Sequence, residues 1–530
     1  MQPVNRELNS ENQAVLIAAL VNPACYPHSV ESVQHLETHI SHILLAGDYA
    51  YKIKKPLNLG FLDFTSLERR RRYCLDEVRL NRRLAPQLYL DCIPIGGSVE
   101  NPRLGGEPAT ALEYAIKMRR FSQTALLDRC LAEGRLQPRH IDALARQLAA
   151  FHGAIARADP GQSWGAPAQV QQPAQDNFDT LRQLLEHPAD LELLQYLEQW
   201  TLAAYRRLQG TLEDRKANGF IRECHGDLHL GNILLEEEQI LIFDCIEFND
   251  EFRWIDVMSD LGFLLMDLRQ RGADGLAWRL LDGYLEASGD YGGLRVLPYY
   301  KVYRALVRAK IAAIRRRQPD LSVAQRAAVA SDCRAYLELA ATFTRPSPPF
   351  LLIAHGVSGS GKSYLTAQLA EAPGAIRIRS DVERKRLFGL DALENSHSGL
   401  EQGLYTADAS RRTYERLYTL AEQILTAGYP VLVDATFLEA ERRRTFRALA
   451  AAWGVPFILL ACEADPGTLR GRVAQRRTRG DDAAEADVVV LERQLRHYLP
   501  PRPEERPLPA GGKDIDRVRS ALLTRLRETQ

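Results

Sequence analysis

The chain has 530 residues, past the size at which one hydrophobic core keeps growing, so a lone small module is excluded and at least two domains are expected. Hydrophobic residues at 45% and charged residues at 26% exclude a disordered or fibrous chain. Lys+Arg and Asp+Glu both number 68, so no net field gathers polyanions or docks on an acidic membrane.

Only ten of the 68 basic residues are Lys, which makes each Lys informative. The eight Cys (25, 74, 92, 130, 224, 245, 333, 462) are dispersed with no C-x-x-C pair, so neither a zinc site nor a disulfide framework is expected and a reducing cytoplasm is the simplest home. The first apolar run, Ala14 to Val21, is short and follows Glu7 and Glu11, unlike a signal peptide. No stretch approaches the roughly 18 apolar residues of a membrane span.

In chain order, residues 36 to 56 read as two short strands around Thr38-His39-Ile40-Ser41-His42, Ser66 to Leu84 as a charged helix, and 111 to 118 as a strand. From about 121 to 210 the periodicity is helical; strand-sized pieces follow at Ile233–Leu235 and Ile240–Phe243, then helices to 343. This predicts a small α+β lobe joined to a helical one. Arg345-Pro346-Ser347-Pro348-Pro349 cannot continue a helix or a central strand and marks a boundary. Beyond it, apolar runs at 350–355, 375–378, 430–433 and 456–462 alternate with helical segments, predicting a parallel sheet covered by helices with no clear fifth strand. The Pro- and Gly-rich stretch Leu499 to Gly512 is expected on the surface, before a last amphipathic helix from Asp514 to Arg527. The expected organisation is one domain over 1–345 (small lobe about 1–118, helical lobe about 119–345), a linker at 346–349, a second domain over 350–498, and a tail over 499–530.

Gly356-Val357-Ser358-Gly359-Ser360-Gly361-Lys362-Ser363 fits G-x-x-x-x-G-K-[ST] between a strand and a helix, the context this phosphate loop needs. Glycines let backbone N–H groups turn inward around phosphate oxygens at the positive end of the next helix. Lys362 is then expected on the β- and γ-phosphates of ATP and Ser363 on Mg²⁺. Two carboxylates sit at strand ends, where ligands gather in an open α/β sheet. Asp434 suits the Mg²⁺ shell and Asp381 suits proton abstraction from an acceptor hydroxyl; the bland alternative for each is a helix cap. Arg470, Arg472, Arg476, Arg477 and Arg479 precede Gly480-Asp481-Asp482 as a candidate lid over the triphosphate, Arg472 and Arg476 sharing a helix face; a solvated helix face is the rival.

Through Arg379-Ser380-Asp381-Val382-Glu383-Arg384-Lys385, Val431-Leu432-Val433-Asp434-Ala435-Thr436 and Glu485-Ala486-Asp487, residues 350 to 497 resemble the P-loop small-molecule and polynucleotide kinases, the group with gluconate-kinase-like and zeta-toxin-like members. That resemblance implies phosphoryl transfer to a hydroxyl, with Asp381 as base and Arg384 near the acceptor.

Upstream, Cys224-His225-Gly226-Asp227-Leu228-His229-Leu230-Gly231-Asn232 contains D-x-x-x-x-N, the spacing in which Asp takes the acceptor proton and Asn binds a metal. Ile240 to Asp244 ends another strand on an acid, so a hairpin would bring Asn232 and Asp244, both oxygen ligands suited to Mg²⁺, to one place. Tyr49-Ala50-Tyr51-Lys52-Ile53-Lys54-Lys55 concentrates three of the ten lysines. Lys52, with apolar flanks, is the first choice for the ATP phosphates and Lys54 the alternative. Glu77 is the expected partner orienting Lys52, against the rival of a surface salt bridge.

Through His225-Gly226-Asp227-Leu228-His229, Asn232 and Asp244, residues 35 to 310 resemble the aminoglycoside phosphotransferases and the wider choline/sugar-kinase-like group. Two departures stand out: no G-x-G-x-x-G loop lies near Thr38–Ser41, and Cys245-Ile246 follows Asp244. The acids Glu247, Asp250, Glu251, Asp256 and Asp260 fit either a cationic acceptor or, better for most, caps and surface charge. His225 and His229 are read as bracing Asp227 in preference to binding a metal. The pairing of the two halves resembles a group of bacterial fusions of a phosphotransferase-like half with a P-loop half.

The expectation is a protein-kinase-like α+β domain followed by an α/β P-loop kinase domain, two Mg²⁺- and ATP-dependent sites acting on small-molecule hydroxyls. A non-catalytic first domain beside one working P-loop kinase is the first alternative. A P-loop half acting on a nucleic-acid 5′-hydroxyl is the second, disfavoured by the balanced charge.

Overall fold

In the computed structural model, residues 9–60, 62–319, 321–345, 348–371, 374–396, 404, 406–479, 482–510 and 515–528 are described, the side chains of 477–479 excepted. Two compact units are present. The first takes the described residues up to His140 with Phe151–Val170 and Leu212–Asp267. The second takes Ile141–Ala150, Gln171–Thr211 and the described residues from Leu268 onward.

The first unit holds a six-stranded antiparallel sheet of β1 (Val33–Glu37), β2 (Ser41–Ala46), β3 (Tyr49–Lys54), β4 (Tyr89–Gly97), β5 (Pro102–Leu104) and β6 (Glu113–Arg119), in the order β1-β2-β3-β6-β4-β5. Residues 36–56 thus belong to three strands rather than two. Gly47, at φ +58°, turns the chain between β2 and β3 in a conformation open to glycine at little cost, and the long apolar run breaks there. Neither β4 nor β5 is expected from the pattern, since Asp91 and Pro94 interrupt the alternation of β4. The helix Leu67–Asn81 starts where Ser66 accepts from the Arg69 N–H (3.2 Å) and buries Cys74 and Val78 with Tyr89, Tyr114 and Ile116.

Beyond this sheet, β7 (Ile221–Glu223) pairs with the later β10 (Trp254–Asp256), each too short to show a periodicity. Between them the hairpin of β8 (Ile233–Glu236) and β9 (Gln239–Ile242) pairs Ile233 with Ile242, and the Phe243 N–H donates to the Asn232 carbonyl (3.0 Å). Asn232 and Asp244 therefore flank the open end of one hairpin, as the sequence predicts.

The second unit holds the parallel sheet of β11 (Leu351–His355), β12 (Ile376–Arg379), β13 (Val431–Asp434), β14 (Phe457–Ala461) and β15 (Leu508–Pro509), ordered β12-β13-β11-β14-β15. A fifth strand is present after all, and it comes from the Pro-rich tail. Leu508 and Ala510 are buried in the sheet's core, and the helix Ile515–Glu528 adds Val518, Leu522 and Leu526 to it. Apolar residues spaced along a Pro-rich stretch pack one by one, without the run that marks a strand in sequence. The helix Asp274–Ser288, well before the Pro-rich break, also belongs to this unit and lies against β12 and the helix Lys362–Glu371.

No described helix is long and apolar enough to cross a membrane. All eight cysteines are free thiols. Because Leu522 is fully buried, Leu522→Ala should cost about 2–4 kcal/mol of second-unit stability, with loss of the 508–526 packing visible by hydrogen exchange before global unfolding.

Candidate functional site

Alternation along β3 turns Lys52 and Lys54 to the same side, where the buried Glu77 meets both. Lys52 Nζ lies 2.7 Å from Glu77 Oε1 and Lys54 Nζ 2.6 Å from Glu77 Oε2. The two lysines then diverge. Lys52 reaches Asp244 Oδ1 at 2.7 Å, whose side chain is 41% exposed, whereas Lys54, 1% exposed, pairs with the buried Glu247. Lys52 is thus the lysine that touches the hairpin end carrying Asn232 and Asp244. The surface-salt-bridge reading of Glu77 fails, since its side chain is wholly buried. Burial by itself would raise the Glu77 pKa, but Lys52 and Lys54 outweigh it and bring the carboxyl to about 2. Burial likewise opposes the charge on Lys52, and Asp244 and Glu77 overcome it, raising the ammonium well above its ordinary value.

Asp227 stands on a loop fastened from several sides. Asn232 Nδ2 donates to the Asp227 carbonyl (2.9 Å) and to its Oδ2 (3.1 Å), and His229 Nε2 lies 3.4 Å from the same oxygen. The His225 and Gly226 N–H groups donate to the buried Asp260 at 3.0 and 2.9 Å, and Asp260 also pairs with His152 at 3.2 Å. Gly226 holds φ +88°, and a Cβ there would come within 2.7 Å of the Phe252 carbonyl. The Asp227 N–H lies 3.3 Å from His225 Nδ1, and His225 Nε2 meets the Phe243 carbonyl at 2.8 Å, so both histidines brace the loop. Of the other acids, Asp250 pairs with Arg253, Asp256 with Arg215 at 2.6 Å, and Glu247 with Lys54. Asp244 itself adopts φ +64°, a strained conformation for a side chain aimed at a site.

In the second unit, Gly356 leaves β11 at φ +146°; a Cβ there would come within 2.4 Å of the Cys462 carbonyl, so the turn demands glycine. The loop borders a cavity of about 830 Å³ lined by Ser358, Gly359, Gly361, Lys362 and Ser363. Gly356 and Ser360 do not line it; they shape the loop from behind, with Ser360 Oγ 3.5 Å from Lys362 Nζ. Lys362 donates to the Val357 carbonyl (2.8 Å), and burial lowers its pKa.

Asp381, Arg384 and Asp434 line the same cavity. Asp381 lies inside the first turn of the helix Ser380–Leu387, whose cap position is Arg379, so it is not a cap; Arg384 Nη1 donates to it at 3.1 Å. Asp434 ends β13 without capping a helix, and its buried Oδ2 has no hydrogen-bond partner. Arg472 and Arg476 reach the cavity from the helix Pro466–Arg479, donating to the Gly359 and Ala486 carbonyls at 3.2 and 2.8 Å. Arg470 instead pairs with the exposed Glu492. The side chains of Arg477 and Arg479, and Gly480 and Asp481, lie outside the described residues. Gln494, unmarked by any motif, accepts the Ser358 N–H at 2.7 Å.

The charge on Glu77 contributes stability above pH of about 4.5, and that contribution drains away as pH falls through the window down to about 2. Glu77→Gln should therefore destabilise the first unit by on the order of 3 kcal/mol at neutral pH. Acid titration followed by circular dichroism should show the gap from the parent protein closing below pH 4.

A model of the phosphotransferase enzyme family matches residues 61–297, and an AAA-domain model matches residues 351–501. The uncharacterized protein Rv2004c of Mycobacterium tuberculosis is 30% identical over 463 residues, spanning 86% of this chain and 89% of its own length. Among solved structures, a choline/ethanolamine kinase family protein from Mesorhizobium loti is 14% identical and covers 63% of this chain and 98% of its own, with a TM-score of 0.38. A gluconokinase from Sinorhizobium meliloti is 21% identical over 35% of this chain and 94% of its own, with a TM-score of 0.26. With both models matched in the order the motifs appear, and one relative aligned across nearly its whole length, the chain belongs to the family of Rv2004c and is itself a kinase in which a phosphotransferase-family domain precedes an AAA-family P-loop domain.

Proposed function

We propose that this protein is a bifunctional phosphotransferase that moves the γ-phosphoryl of ATP to a hydroxyl of a small molecule, of the sugar, aminosugar or amino-alcohol class, at each of two separate sites. The observation that carries this reading is the recurrence of one chemical set: a largely enclosed lysine, oxygen donors that suit a divalent cation and a further carboxylate, once around Asp227 and once around Lys362. The cavity beside Lys362, about 830 Å³, suits a nucleotide and a small acceptor better than a polymer. Eight free thiols fit a reducing, cytoplasmic setting.

The donor sets fit Mg²⁺, which prefers hard oxygen ligands. Asn232 and Asp244 would hold it in the first unit, and Asp434 with Ser363 in the second, where the unbonded Asp434 Oδ2 is a buried acceptor lacking a donor. Bound there, the ion would neutralise charge on the phosphate oxygens. In the first unit Glu77 holds Lys52 extended toward phosphate, and the Asn232 amide orients the Asp227 carboxylate to take the acceptor's hydroxyl proton. In the second, the loop N–H groups and Lys362 would grip the triphosphate, Arg472 and Arg476 would close over it, and Asp381 would take the proton with Arg384 beside the acceptor. At each site the acceptor oxygen forms the new bond to the γ-phosphorus as its bond to the β,γ-bridging oxygen breaks, leaving ADP.

Asp227→Asn and Asp381→Asn, made separately and assayed with radiolabelled ATP against a metabolite library, should each abolish transfer to a different acceptor, by about 100-fold or more, while nucleotide binding persists. An Asp227→Asn protein that keeps every activity of its parent would leave the first unit a nucleotide-binding module beside one kinase. Phosphorylation of oligonucleotide 5′ ends alone would move the second site to nucleic acid.

A further inference from the structure

The P-loop sheet leans on a helix from outside its own stretch of sequence. Helix Asp274–Ser288 lies within the residues matched by the phosphotransferase family, yet its side chains engage β12 and the helix after the phosphate loop. A Cβ at Gly374 would come within 2.5 Å of the Trp278 indole, and Arg279 spans Asp142 (2.6 Å) and Glu371 (2.8 Å). Asp282 pairs with Arg377 at 3.3 Å and accepts its backbone N–H at 2.8 Å.

One contact of this interface enters the candidate site. Glu286 Oε1 accepts from Arg379 Nη1 at 3.2 Å, and its Oε2 from Arg377 Nη2 at 3.3 Å. The other terminal nitrogen of Arg379 donates to Asp482 Oδ1 at 2.5 Å. Its Nε stands 3.8 Å from Asp434 Oδ2, beyond hydrogen-bond reach, and that oxygen is the unbonded one. Three carboxylates thus surround one guanidinium, whose planar fork favours two-pronged bonding to whichever is left most available. With Glu286 and Asp482 each taking one terminal nitrogen, the third keeps its oxygen. Without either anchor, the same charge would close onto Asp434.

We propose that Glu286 is a positioning residue for the P-loop site: together with Asp482 it holds Arg379 off Asp434, keeping an Asp434 oxygen available for a divalent cation. The proposal rests on the reading of Asp434 as a metal ligand, and it makes the P-loop site dependent on a helix contributed by the phosphotransferase stretch.

The test labels the full-length protein with an acyl-phosphate analogue of ATP, which acylates lysines at nucleotide phosphates, and follows the Lys362 peptide by mass spectrometry across a MgCl₂ titration. Glu286→Gln keeps the shape and removes the charge. It should raise the Mg²⁺ midpoint about tenfold, the size expected for a group that supports a metal ligand without touching the metal, and leave saturating labelling unchanged. Glu286→Asp should restore much of the parent midpoint. Asp482→Asn, on a loop, should shift it the same way should the helix variant fold poorly. Asp282→Asn, which weakens the same interface at Arg377 but leaves Arg379 anchored, should keep the parent midpoint. An unshifted midpoint in both Glu286→Gln and Asp482→Asn, or an equal shift in Asp282→Asn, overturns the proposal. No labelling of Lys362 in the parent protein at any Mg²⁺ concentration would instead sink the P-loop reading beneath it.

Discussion

A charge taken out of water has to be met where it lies, and both candidate sites are organised by that requirement. In the first unit Glu77 can stay ionised at zero exposure only because two ammonium groups of one strand approach its two oxygens, at 2.7 and 2.6 Å. The pairing has a structural result beyond its energy. It ties the central strand β3 to the helix Leu67–Asn81 and, through Lys52 and Asp244, to the far end of the β8–β9 hairpin. The lysine proposed to meet phosphate is thereby held by a neighbouring helix and an acid rather than by its own flexible stem.

The second unit meets the same requirement with the opposite sign at the centre. Arg379, 14% exposed, is the central charge, and the acids around it come from three places in the chain: Glu286, Asp434 and Asp482. Such sharing makes each member's position depend on the others, so a helix far from the phosphate loop in sequence bears on the geometry beside it. The first unit has a parallel in Asp260, which receives two loop N–H groups and a histidine and so sets the backbone that carries Asp227.

Much of the site was legible because its chemistry demands particular residues at fixed local spacing. The phosphate loop, Asp227 with Asn232 five residues on, and the acids closing β9 and β13 are short-range patterns, and local geometry brings their members together. The apolar flanks favoured Lys52 over Lys54 but left Lys54 open, because alternation puts both on one face and the partners beyond that face, Asp244 for one and Glu247 for the other, tell them apart. Arg379 was visible as part of a motif but not as the shared partner of Glu286 and Asp482, and Gln494 had no signal at all. β15 was hidden for a different reason: a two-residue parallel strand in a Pro-rich stretch has no period to detect.

By itself, then, the amino-acid order determined two kinase-like scaffolds, their sequence along the chain and most of the polar groups in each candidate site, because those follow from backbone hydrogen-bonding patterns and contacts a few residues apart. Tertiary structure alone decided which lysine meets the hairpin, which acids are structural, and that the helix Asp274–Ser288 packs on the P-loop sheet. Those outcomes depend on which charges are buried together after distant segments pack, and burial multiplies the strength of an ionic contact that in water would be worth little.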